Sequence, residues 1–115
     1  LGPFKFYAIN DGVEVWRSIG CFDYIAAVPA IHCLWAFGFI LQRENIQIIF
    51  SGDGRPCEEL VYQTLDLTIS HPSLTRILIH EATFDDNLRE EAIEKRHSTI
   101  SEAIEVGIWM DADFT

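Results

Sequence analysis

Apolar and polar positions along this chain follow two periods, and each change of period marks a new element. "FKFYAINDGVEVW" carries two short strand-like runs around Asn10-Asp11-Gly12. Asp-Gly tolerates the positive φ of a tight turn, so a hairpin is predicted to open the chain. "FDYIAAVPAI" and "AFGFILQ" read as strands with His32 between them, and "IQIIF" is a continuous apolar run of the kind found in strands buried on both faces. The loop "SGDGRP" follows at once, then "CEELVYQTL" as a short helix and "RILIH" as another buried strand. "DDNLREEAIEKR" reads as an acidic helix with Glu90, Glu91 and Glu94 on a solvated face. Strands near residues 4–9, 13–16, 36–42, 46–50 and 76–79 thus alternate with helices, which makes the class α/β.

The last helix announces its own start. Thr99-Ile100-Ser101-Glu102 has the form of a capping box. Ile100, Ala103, Ile104, Gly107 and Ile108 then recur at three- and four-residue spacing, predicting a helix from about 100 to 110 packed on a sheet. His97 therefore falls just outside a helix N-terminus, where free amides and the helix dipole favour an anion such as phosphate.

Composition narrows the picture. At 115 residues and 13.1 kDa there is room for one domain at most, and 49% hydrophobic content is too apolar for a disordered chain. The longest apolar stretch is interrupted by Pro29, His32 and Gly38, so neither a membrane span nor a signal peptide is expected. A formal charge of −10 opposes nucleic-acid binding unless a metal or another segment supplies positive charge. Cys21, Cys33 and Cys57 form no Cys-x-x-Cys pair, which suits reduced core thiols in an intracellular compartment better than a disulfide framework or zinc ribbon.

Four spots put reactive side chains at element ends: His32 after a strand, Asp53 in the loop after "IIF", His80-Glu81 after "RIL", and His97 before a helix. Taken singly, His32 is either a core histidine or a metal ligand, and Asp53 either a turn residue or a ligand. Their joint placement at strand ends is where α/β folds gather function.

"IIFSGDGRPCEELV", "ILIHEATFDDNLREEAIEKRHSTISEAIEVG" and "HCLWAFGF" closely resemble the tRNA 3′-processing endonuclease tRNase Z, or ribonuclease Z, of the metallo-β-lactamase superfamily, nearest to the catalytic half of its long eukaryotic form. The resemblance runs from about His32 to Val106, apart from a local insertion at "TLDLTISHPSLT". It implies part of a metallo-β-lactamase αβ/βα sandwich over residues 1–115, and an enzyme that removes 3′ trailers from precursor tRNA with two zinc ions. His32 would ligate one zinc and Asp53 would bridge both. His97 would protonate the departing ribose 3′-oxygen, with Glu81 orienting it and keeping it protonated. His80, Thr83, Ser98 and Thr99 would be loop residues near the substrate.

The departures from the family are specific. Gly54 stands where threonine is usual after the aspartate, and Trp35 stands at an often polar position. The His-x-His-x-Asp-His motif and a C-terminal histidine are absent, so residues 1–115 are expected to be an incomplete, inactive piece of the catalytic domain. The implied partners are precursor tRNA, together with the rest of the same chain or a homodimer partner, and no membrane. The implied compartment is the nucleus or mitochondrion. The competing reading is a non-catalytic truncated copy serving as a structural subunit of an RNA-processing or ribosomal assembly.

Overall fold

A computed structural model describes residues 6–8, 12–68 and 73–115. Six strands form one sheet in chain order: β1 Phe6–Ala8, β2 Glu14–Ile19, β3 Phe22–Pro29, β4 Phe37–Arg43, β5 Ile46–Phe50 and β6 Thr75–Ile79. β1 to β5 are antiparallel neighbours, whereas β6 lies parallel to β5. A parallel return needs a crossover, and helix α1, Glu58–Thr68, supplies it. A 3₁₀ turn at Asp86–Leu88 leads into α2, Arg89–Lys95, and α3 spans Ile100–Trp109.

The β1–β2 pair confirms the opening hairpin, with Ala8 opposite Glu14 and Gly12 at φ 83°, while residues 9 to 11 lie outside the described residues. β2 runs past the expected end at residue 16 to Ile19, because Ile19 pairs with Phe22 across the two-residue turn Gly20-Cys21. The acidic stretch divides into the 3₁₀ turn and α2, with its glutamates exposed as expected. The thiols need correction: only Cys57 is buried, whereas Cys21 sits exposed in that turn and Cys33 exposed in the β3–β4 connection. Among the described residues no helix is long and apolar enough to cross a membrane.

Cross-strand partners share a face, so the register sorts the sheet into two sides. Val15, Ala26, Ile40, Ile49 and Leu78 lie in one row across five strands, joined by Tyr24 and Val28. Leu60 and Val61 of α1 and Val106 and Met110 at the end of α3 complete this core. Arg76, on the same face, donates to Gln47 Oε1 at 2.8 Å and to the Met110 carbonyl, which ties the C-terminal end of α3 to the sheet edge. On the opposite side, Ile25, Leu41, Ile48 and Ile77 form one row and Ala27, Phe39, Phe50 and Ile79 another, with Phe39, Phe50 and Ile79 exposed.

Ile49 has no exposed surface and sits between Ile40 and Leu78 in the covered row. Ile49→Ala is therefore expected to lower unfolding free energy by about 2–5 kcal/mol, the cost of lost burial plus a cavity. Equilibrium urea unfolding measures it, and a loss below about 1 kcal/mol would mean the core is loosely packed there.

The topology also decides where chemistry can assemble. β3, β5 and β6 run in the same direction, since β4 is antiparallel to both β3 and β5. Their C-terminal ends therefore meet along one edge, and the loops carrying His32, Asp53 and His80-Glu81 leave from it.

Candidate active site

The loop after β5 is shaped by close backbone approach. Gly52 has φ 64°, and a Cβ there would lie 2.5 Å from the Phe37 carbonyl oxygen, so only glycine lets the loop cross the start of β4. At Gly54 a Cβ would stand 3.0 Å from the Ile31 carbonyl oxygen, on the segment that Arg55 N–H also holds at 2.9 Å. A side chain at position 54 would press on that bridge unless the Ile31 carbonyl gave way by a few tenths of an ångström.

Glu81, at the exit of β6, is the hub. Its Oε1 accepts from Gly54 N–H at 2.8 Å and from His97 Nδ1 at 2.6 Å. Its Oε2 accepts from Ser98 N–H at 3.0 Å and from Thr83, whose N–H lies at 3.1 Å and whose Oγ1 lies at 2.9 Å. Burial works to raise the Glu81 carboxyl, but the Ser98 and Gly54 amides, His97 and Thr83 outweigh it and bring its pKa down to about 2. An ionised carboxylate only accepts, so His97 Nδ1 carries the hydrogen between them. That leaves His97 Nε2 without a hydrogen-bond partner among the described residues.

Asp53, Glu81 and His97 bring their ligand-type atoms within 4.8 Å of one another. Both oxygens of Glu81 are already committed inside the protein, so this carboxylate is an anchor for its neighbours. Asp53 differs: it is exposed and has no hydrogen-bond partner among the described residues. His32 stands outside that cluster of three, with its ring centroid 4.8 Å from that of His97. Its Nδ1 meets the Arg96 carbonyl at 2.6 Å, and Arg96 returns a bond to the His32 carbonyl at 2.7 Å. A carbonyl only accepts, so Nδ1–H donates and Nε2 is left as the lone-pair nitrogen, which is how metal-binding histidines are commonly braced. Among the described residues the donors free to take a cation are thus the Nε2 atoms of His32 and His97 and the Asp53 carboxylate, a chemistry that suits zinc.

The helix mouth requires a correction. The capping box is present, with Thr99 Oγ1 accepting from Glu102 N–H at 3.3 Å and Glu102 Oε1 accepting from Thr99 N–H at 3.0 Å. Asp86 takes the Ser101 N–H at 2.8 Å, and Glu81 takes that of Ser98. These amides already hold the chain's own oxygens, so they offer no phosphate cradle. His97 stands at the helix mouth because Glu81 fixes it there.

The substrate-loop residues separate by burial. Thr83 is exposed, and His80 is half-buried with Nδ1 at 2.7 Å from the Glu81 carbonyl. Ser98 and Thr99 are buried frame residues whose side chains cannot meet a substrate; Ser98 Oγ donates to the Gly54 carbonyl at 2.7 Å. Arg55 and Glu102 were missing from the residues expected at the site. Glu102 was visible only as a cap, and nothing in "SGDGRP" marks Arg55 as its partner 47 positions away.

No protein-family profile matches the chain. Curated relatives do. Zinc phosphodiesterase ELAC protein 2 of Homo sapiens is 48% identical over 84 residues, covering 72% of this chain and 9% of that protein. The mitochondrial tRNase Z TRZ3 of Arabidopsis thaliana is 42% identical over 105 residues, covering 82% of this chain and 11% of its own length. Among solved structures, a long form RNase Z from yeast superposes with a TM-score of 0.60 at 33% identity, over 83% of this chain and 13% of that one. Human tRNase Z, short form, gives 0.64 at 26% identity, over 88% and 38%. The chain spans about a tenth of the length of the curated relatives it matches.

Proposed function

Since the chain belongs to the tRNase Z family and has part of the metallo-β-lactamase fold, we propose that it is the C-terminal part of the catalytic domain of a zinc-dependent endoribonuclease that removes 3′ trailers from precursor tRNA. The observation that carries this is the 2.6 Å contact between His97 Nδ1 and Glu81 Oε1, with the ligand-type atoms of Asp53, Glu81 and His97 within 4.8 Å of one another. It leaves an oriented imidazole nitrogen beside a free carboxylate.

In this reading His32 and Asp53 would belong to the set of residues that holds zinc, and the remaining ligands would come from elsewhere in the complete protein. The chemistry that bound zinc supplies is Lewis acidity at the phosphate and hydroxide from water near neutral pH. His97 gives a proton from Nε2 to the ribose 3′-oxygen as its bond to phosphorus breaks. What remains is the neutral Nδ1–H tautomer that Glu81 already holds, so no ring reorientation is needed. The exposed apolar sheet face, with Phe39, Phe50 and Ile79, is the surface on which the other half of the sandwich would pack. A mitochondrial setting draws support from two Arabidopsis relatives named as mitochondrial.

The test is cleavage of a precursor tRNA by the complete protein, with the product end mapped and the zinc content measured. Product ending at the discriminator base, lost on zinc removal and regained on zinc return, is expected. A zinc-loaded protein that leaves the trailer intact would favour the non-catalytic reading.

A further inference from the structure

Arg55 lies two residues after Asp53 yet points away from solvent, its side chain 16% exposed against a Glu102 side chain 8% exposed. The guanidinium meets three acceptors: Glu102 Oε1 at 2.7 Å, Glu102 Oε2 at 2.5 Å and the His97 carbonyl at 3.0 Å. Glu102 in turn holds the Thr99 amide at 3.0 Å. One planar fork thus joins the loop after β5, the first turn of α3 and the backbone of His97.

His97 needs such a hold. It sits in an irregular stretch between Arg96, which ends α2 in the left-handed region at φ 58°, and Thr99, which caps α3. Its N–H is held by the Ala92 carbonyl at 2.8 Å, and its carbonyl by Arg55. From these observations we propose that Arg55 and Glu102 form a positioning pair, which sets His97 against the Asp53 loop so that its imidazole meets the leaving oxygen.

This inference rests on the proposed function, and it deepens it by naming what places the acid. A displacement of about 1 Å in a reacting group can cost about a hundredfold in rate. Arg55→Met in the complete protein is therefore expected to slow single-turnover cleavage of a precursor tRNA by about tenfold to a hundredfold at saturating enzyme, with the half-saturating concentration nearly unchanged. Arg55→Lys restores only part, because an ammonium cannot span the carboxylate and the carbonyl as a planar fork does.

The distinguishing measurement repeats Arg55→Met in the His97→Ala background. A residue that acts through His97 has little left to place there, so a further loss of less than about threefold is expected. Glu102→Gln supplies a second comparison that keeps the capping box, since glutamine serves at that position, while removing the charged fork. It is expected to follow the same pattern, and it carries the test if Arg55→Met does not fold. Equal slowing in both backgrounds overturns the positioning role and leaves the proposed function standing. A wild-type rate for His97→Ala overturns the positioning role together with the acid role of His97, whereas a zinc-loaded wild type that leaves the trailer intact overturns the proposed function itself.

Discussion

His97→Ala in the complete protein is expected to slow cleavage of precursor tRNA by about 10²–10⁴-fold, the usual worth of a positioned general acid, while zinc content and tRNA affinity stay near wild type. The selectivity follows from geometry. His97 spends Nδ1 on Glu81 at 2.6 Å, its ring lies beside that of His32 with centroids 4.8 Å apart, and it is not a member of the hydrophobic core cluster among the described residues. Its backbone contacts to Ala92 and Arg55 survive truncation at Cβ. A histidine of no catalytic consequence would change the rate by less than about threefold, in line with the roughly 0.5 kcal/mol scale of surface substitutions. Single-turnover rates with zinc assayed in the same sample decide between them. A slow mutant that has also lost its zinc would contradict the acid role.

Glu81→Ala should cost both stability and rate. Removing the carboxylate strips the shared acceptor from the amides of Gly54, Thr83 and Ser98 and from His97, which together join three loops. The folded-state pKa of about 2 lies below the ordinary 4.5, so the ionised carboxylate stabilises the fold above pH 4.5. That contribution falls away as pH drops from 4.5 through 2, where the folded form also takes up the proton. Chemical unfolding of wild type and mutant should therefore differ by about 1–3 kcal/mol at pH 7, the cost of leaving part-buried donors without their acceptor, and by less on acidification. Glu102 and Asp86 are also held below the usual carboxylate range, but they are common to both proteins and leave the difference unaffected to first order. A gap that stays constant from pH 7 to pH 2 would mean the loops are held by something other than the ionised Glu81. Cleavage by the mutant should approach the rate of His97→Ala, since the imidazole loses the partner that orients it.

The elements were legible wherever their cause is local. The continuous run at Ile46–Phe50, the alternation around Gly12 and the stripe from Ile100 to Ile108 each express a period that a strand or helix imposes on its own residues. The capping box is equally local, spanning four positions, and it sits where the text put it. Site positions were legible in part: strand ends and the wording of "HEAT" and "RHST" picked out Glu81 and His97, but spacing alone says nothing about two loops 16 residues apart meeting at 2.6 Å.

What the chain determines unaided is thus its local periods, its turns and its capping, because each depends on neighbours within one or two turns of backbone. Only the tertiary structure decided that Glu81 would be an internal anchor, that the helix mouth would be filled by Asp86, Glu81 and Glu102, and that Arg55 would reach Glu102 across 47 positions. It likewise left Cys21 and Cys33 in solvent despite their apolar character. The reason is physical: a carboxylate or a guanidinium takes its role from whichever donors and acceptors the folded chain brings within about 3 Å, and that company is set by the parallel order of β5 and β6.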